Sequence, residues 1–262
     1  MKKRDLEEIA LEEVYQKILK FYEGNDLEGA KREILKVIKQ FPHSEEPYLL
    51  LGDVEFDMFS LEEALLAYKK AISINDNNPS AHSSIGRVYY LLSKFPEAER
   101  HIHRALDLNP EEAEALYLKG LLLDRERNFS LADQYLKKAN LLEPDAYPQP
   151  VSLERERFEV LMYMEYNNID LKVREFIGNV LLIVEDIPSD DDLNLLISPL
   201  AQSMLRIIKN ENKKDFEIVF FKRNIEHFSE DEDDVRENIH ICLLKEVNKI
   251  LSELEVSSYE NE

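Results

Sequence analysis

Six histidines and one cysteine are the side chains best suited to metal or nucleophile chemistry, and their spacing argues against both. His101 and His103 are two residues apart on a helical stretch, so they point in different directions and read as solvent-facing or packing side chains. Lys245 lies five residues after His240, and neither His240 nor His227 has a ligand partner four residues away. Cys242 stands alone, which removes an intramolecular disulfide and a Cys/His pair. The acidic run Glu230–Asp234 lacks the Asp/Asn/Gly spacing of a calcium loop. Ser229 and Glu232 instead have the spacing of a capping box, and carboxylates at a helix start are favoured by its dipole. Lys245, Glu246 and Lys249 read as a solvated helix face with one i,i+3 ion pair, worth about 0.2–0.5 kcal/mol. No Gly-rich phosphate loop and no serine nucleophile elbow occurs.

The elements that would carry any site repeat. Gly52, Gly86 and Gly120 are spaced 34 residues apart in a chain with six glycines. Ala64, Ala98 and Ala132 keep the beat, as do Ala71, Ala105 and Ala139. Tyr68, Ile102 and Leu136 fall between them, and Leu61, Phe95 and Phe129 precede each second helix. Asn75-Asp76, Pro110 and Pro144 follow helix ends. Each unit reads as two amphipathic helices whose small residues let the backbones approach. A period of this kind marks a solenoid, where each unit buries its apolar face against its neighbours.

Residues 45–78, 79–112 and 113–146 resemble the tetratricopeptide repeat family, and A-L-D-L-N-P (Ala105–Pro110) resembles its usual ending. A drifted first copy spans 11–44: Ala30, Phe21 and Pro42 are kept, while Ile18 replaces the glycine and Val37 the second alanine. Terminal repeats are commonly atypical. Residues 1–10 read as a helical lead-in. The resemblance implies a right-handed α-solenoid whose first helices line a concave groove. Counting within each repeat places Tyr15, Leu19, Tyr22, Leu49, Asp53, Phe56, Ser83, Arg87, Tyr90, Tyr117, Leu121 and Asp124 in that groove. Aromatics beside scattered charge suit a protein or peptide ligand. The positions that would clamp a terminal carboxylate hold Tyr15, Leu19, Leu50, Ser80 and Ser84, none of them Lys, Arg or Asn, so that ligand is rejected.

The net charge of −21 and the absence of a basic patch argue against nucleic acid and anionic membrane surfaces as partners. At 44% hydrophobic the chain can bury a core. The start M-K-K-R-D-L-E-E lacks a following apolar stretch, and Val180–Val184 is too short to span a bilayer. With the lone cysteine, these features predict a cytoplasmic protein.

Tyr147-Pro148-Gln149-Pro150 breaks the pattern, and 147–152 reads as a linker. Beyond it the spacing predicts a helix from about Ser152 to Tyr166, a shorter one over Lys172–Gly178, and a strand at Val180–Glu185. A helix over Leu193–Lys209, a strand at Glu217–Phe221 and a long final helix over Glu232–Val256 follow. The overall expectation is a mainly α chain ending in a small α+β domain at 153–256, with a disordered tail at 257–262.

V-R-E-F-I-G-N-V-L-L-I-V-E-D-I-P (Val173–Pro188), I-V-F-F-K-R-N-I-E-H-F (Ile218–Phe228) and V-R-E-N-I-H-I-C-L-L-K-E-V-N-K (Val235–Lys249) resemble, in order, three stretches of the minimal zincin-like metallopeptidase family. The resemblance implies a zincin-like scaffold whose last helix should carry H-E-x-x-H, two imidazoles on zinc with a Glu as general base. Here that motif reads Lys245-Glu246-Val247-Asn248-Lys249, and the glycine after it falls at Ser252. A protonated lysine has no lone pair for zinc. The resemblance thus implies the scaffold and denies the catalysis, with no metal or cofactor. Three readings compete. One is an interaction protein with a catalytically dead zincin-like domain; another is a metal-dependent peptidase using other ligands. The third is an adaptor whose last domain merely caps the solenoid.

Overall fold

The computed structural model describes residues 3–210 and 213–259. The chain divides into two compact units, Met1–Leu122 and Leu123–Glu262.

The first unit is a series of helical hairpins. Its helices are α1 (Lys3–Glu23), α2 (Leu27–Gln40), α3 (Glu46–Asp57), α4 (Leu61–Ile74), α5 (Pro79–Leu91), α6 (Phe95–Leu108) and most of α7 (Ala113–Arg125). Asp26 caps α2 by accepting the Gly29 amide at 2.8 Å, and Asn78 caps α5 by accepting that of Ala81 at 3.1 Å. Ala64, Ala71, Ala98 and Ala105 are completely buried, as small residues must be where helices touch. A Cβ on Gly52 would sit 2.3 Å from the Tyr68 ring, and one on Gly86 would sit 2.9 Å from Ile102 Cγ1. Both glycines therefore exist to admit a side chain of the paired helix.

A second lattice runs beneath the glycines. Asn25, Phe59, Ser93 and Arg127, again 34 apart, all have φ between 52° and 59°. Each closes the first helix of its hairpin with a six-to-one backbone bond, such as Ser60 N to Glu55 O and Lys94 N to Tyr89 O, both 2.8–2.9 Å. The drifted first hairpin keeps this turn although its glycine is gone.

The second unit holds the end of α7, then α8 (Phe129–Leu142), α9 (Arg155–Asn168), α10 (Leu171–Ile177), β1 (Val180–Glu185), α11 (Asp190–Asn194), β2 (Ser203–Asn210), β3 (Lys213–Phe221), α12 (Lys222–His227) and α13 (Glu232–Tyr259). The sheet order is β1-β3-β2, with β1 parallel and β2 antiparallel to β3. Central β3 is apolar on both faces. Phe216, Ile218 and Phe220 pack with Phe158, Met162, Ile239, Leu243 and Ile250 from α9 and α13, while Val219 and Phe221 pack with Met204. A strand buried on both sides reads as a continuous apolar run, as I-V-F-F (Ile218–Phe221) does.

Three expectations are corrected. The helix expected over Leu193–Lys209 is the short α11, a loop and strand β2: α11 ends where Leu196 turns left-handed at φ 62°, and Pro199 keeps the following loop from resuming a helix. The long final helix is capped by Asp231, which accepts the Asp234 amide at 2.9 Å, and not by Ser229, whose hydroxyl donates to the Ile225 carbonyl at 2.8 Å. The tail expected from 257 is helical through Tyr259, and residues 260–262 lie outside the described residues. The second unit also begins at Leu123, inside the fourth repeat, whereas the sequence period runs on to Ala146.

Candidate functional site

The first helices of the hairpins present a polar face. Tyr15 donates to Glu46 Oε1 at 3.0 Å, and Tyr22 donates to Asp57. Asp53 accepts the Tyr68 hydroxyl at 2.7 Å. The Arg87 guanidinium lies 3.9 Å over the Phe56 ring, with Nε 3.2 Å from Glu114 Oε1 and a nitrogen 3.4 Å from Tyr68 Oη. Burial, then the bond to Glu46, pushes the Tyr15 phenol up to about 12. Burial pushes Glu114 up to about 7 despite Arg87, and the protein wall around Asp53 raises its carboxyl too. Tyr15, Leu49 and Asp53 line a pocket of about 360 Å³ with Glu45, Glu46 and Tyr68. Four of the five positions rejected for a carboxylate clamp, Tyr15, Leu50, Ser80 and Ser84, line it as well, and its charged lining is entirely acidic.

Of the twelve residues predicted for this face, Leu19, Tyr22 and Asp53 are exposed, and Tyr15, Leu49, Phe56, Arg87 and Tyr117 are half-buried. The other four are not available to a ligand. Ser83 is fully buried and donates to the Pro79 carbonyl at 3.1 Å. Tyr90 is buried edge-on against Phe95. Leu121 is core. Asp124 is 2% exposed, with Oδ1 2.8 Å from Arg223 and Oδ2 2.9 Å from His227 Nε2. The aromatic column therefore stops at Phe56: Tyr90 occupies the equivalent place but turns into the core.

On α13, Glu246 is fully buried, which corrects its placement on a solvated face, while the expected i,i+3 pair with Lys249 is present and both lysines stay about half exposed. Ser203 of β2 donates to Glu246 Oε1 at 2.8 Å, Lys249 Nζ lies 2.6 Å from Oε2, and Lys245 Nζ lies 3.5 Å from Oε1. A pocket of about 650 Å³ opens beside the two lysines. Cys242 is buried nearby, and burial raises its thiol. His240 Nδ1 is 3.0 Å from Glu165 Oε2. His101 packs on His82, Nδ1 to Nδ1 at 3.1 Å, and burial lowers it to about 4. His103 pairs with Glu99.

Comparison with known proteins places these helices. A TPR repeat profile matches residues 52–93, and a tetratricopeptide repeat profile matches residues 84–149. Residues 52–149 are tetratricopeptide repeats. The chain is 28% identical over 122 residues to the tetratricopeptide repeat-containing protein trd-1 of Caenorhabditis elegans, covering 46% of this chain and 15% of that protein. It is 28% identical over 109 residues to the TPR repeat-containing protein MJ1428 of Methanocaldococcus jannaschii, covering 42% and 18%. The chain thus spans less than a fifth of the length of these relatives. The crystal structure of MamA is similar at 26% identity with a TM-score of 0.42, covering 48% of this chain and 73% of that one. The tetratricopeptide segment is a protein–protein interaction module. No described helix is long and apolar enough to cross a membrane.

The tetratricopeptide lattice accounts for the repeat face but not for α12. Lys222, Arg223, Asn224, Glu226 and His227 are all buried. Arg223 bonds Asp124 at 2.8 Å and Asp133 at 2.6 Å, holding the end of the fourth repeat within the second unit. Glu226 accepts the Leu153 amide at 2.7 Å and pairs with Lys222. Apart from the local Lys222–Glu226 pair, these partners are 73 to 99 residues apart, beyond any local pattern. Glu246, by contrast, had a signal: it shares the stripe Ile239, Leu243, Val247, Ile250 that faces the core.

Proposed function

We propose that the first-helix face of the repeats binds a basic, extended segment of a partner protein, and that residues 153–256 are a zincin-like domain without peptidase activity. The observation that carries the first part is the 360 Å³ pocket: Glu45, Glu46 and Asp53 line it, and no lysine or arginine does. Arg87, the cation beside it, is engaged by Glu114 and Phe56. Each of the three carboxylates accepts one neutral donor, from Asn78, Tyr15 and Tyr68 respectively. A neutral donor leaves the negative charge in place, so the pocket favours an ammonium or guanidinium, the reverse of a carboxylate clamp. Exposed Leu19 and Tyr22 offer apolar contact on the same face.

The second part rests on Lys245 and Lys249. Protonated amines cannot ligate zinc, and both lean on the carboxylate that would serve as general base.

Peptides selected from a random display library against the full chain test the binding reading. They should be enriched in Lys and Arg, and their affinity should fall as salt rises. Selected peptides rich in Asp and Glu, or indifferent to salt, would sink it.

A further inference from the structure

The pocket between β2 and α13 combines a charged end with an apolar wall. Its volume of about 650 Å³ lies in the range of small-molecule sites, ~300–1,000 Å³. At one end Lys245 and Lys249 carry two positive charges against the single buried charge of Glu246, and their side chains remain 57% and 48% exposed. Each ammonium has three N–H donors, and Glu246 has only two oxygens, one of which already accepts from Ser203. Donors are left over at the pocket mouth. The wall is formed by Ile197, Met204, Leu205 and Ile207, with Leu196 at the rim. Leu196 is 94% exposed and has φ of 62°, a conformation a non-glycine residue rarely holds without compensation. An exposed leucine held this way beside an apolar wall is a surface without its contact. Glu253 also lines the pocket and has an interaction of its own, which limits the tolerated negative charge.

We propose that this pocket binds an amphipathic monocarboxylate, its head on Lys245 and Lys249 and its aliphatic body along Leu205 and Ile207, which share the α13-facing side of β2 with Ser203. The inference stands on this geometry and does not depend on the zincin-like reading of the domain.

Octanoate is the probe, titrated into full-length protein carrying carbon-13 isoleucine methyls, with octanol and octylamine as controls. The Ile207 methyls should shift saturably with octanoate. Loss of one charge-assisted bond predicts that octanol binds about tenfold more weakly or worse, and octylamine should leave the signal in place. The neutral triple variant Lys245→Gln/Glu246→Gln/Lys249→Gln should lose octanoate affinity by a similar factor. Should that variant fold poorly, salt decides on the parent protein: added chloride should weaken octanoate and leave octanol unchanged. Silent Ile207 methyls, equal affinity for octanoate and octanol, or salt-insensitive octanoate binding would overturn the proposal.

Discussion

The two units place their charges in opposite ways. In the repeats, the buried surface is mostly alanine, glycine and apolar side chains, with Glu55 as a buried carboxylate paired with Lys31, and charge otherwise collects on the first-helix face, where Asp53 and Asp57 meet solvent. In the second unit, Asp124, Glu165, Asp192, Lys222, Arg223, Glu226, His227 and Glu246 are all buried. The first arrangement is organised by local spacing and leaves its charges for a partner. The second uses charge internally, as structure. Buried ion pairs contribute little net stability, yet breaking one leaves an uncompensated charge and is costly. The same chemical groups therefore carry binding in one region and folding in the other.

The largest break in that contrast comes from Arg223→Ala. It strips Asp124 and Asp133 of their shared partner, and removing one side of a buried pair costs ~3–5 kcal/mol. Denaturant unfolding should register that loss in the second unit; a change below about 1 kcal/mol, typical of exposed pairs, would mean Arg223 behaves as a surface residue.

The repeats should break through packing instead. Gly52→Ala drives a methyl into the Tyr68 ring, which is fully buried and tied to Asp53, so overpacking should cost ~1–3 kcal/mol. Gly86→Ala meets Ile102 at 2.9 Å and should cost less. Equal melting midpoints for the two variants would contradict the assigned contacts.

Phe59→Gly probes the turn lattice. Phe59 has φ of 59° and is 90% exposed, so glycine relieves strain and loses little packing. A non-glycine residue in this region costs on the order of 1 kcal/mol, and part of that should return as added stability. A loss of stability would show that Phe59 has a contact that compensates its strain.

Acidification should give the smallest net effect, because two groups oppose. Folding lowers His101 from 6.5 to about 4, so its contribution is whole above 6.5 and is lost as pH falls toward 4. Folding raises Glu114 from 4.5 to about 7, so its contribution is whole below 4.5 and is lost as pH rises through 7. Their effects offset between these limits. Glu114→Gln should uncover the His101 limb, a fall in stability from pH 6.5 downward that is steeper than in the parent. An unchanged pH profile would contradict the burial of Glu114.

What could be read from the chain follows the same division. The glycine and alanine spacing carried the hairpins because helix contacts recur at a fixed interval. The turn lattice at 25, 59, 93 and 127 was hidden because Asn, Phe, Ser and Arg share no chemistry, only a backbone conformation. Tyr90 was assigned to the open face by position in the repeat, yet Phe95, five residues on, draws it inward. Strand β2 was masked by the helix-like spacing of leucines before Pro199. In α12 every decisive partner is remote in sequence, so no local pattern could announce it.

One measurement bears most directly on the division between binding charge and structural charge. A library-selected lysine-bearing peptide is titrated calorimetrically into two full-length variants. Glu46→Gln/Asp53→Asn neutralises the repeat pocket, and Lys245→Gln/Lys249→Gln neutralises the α13 pair. Loss of two charge-assisted contacts predicts at least about a tenfold drop in affinity for the first variant and none for the second. Undiminished binding to the first variant, or loss confined to the second, would contradict the account.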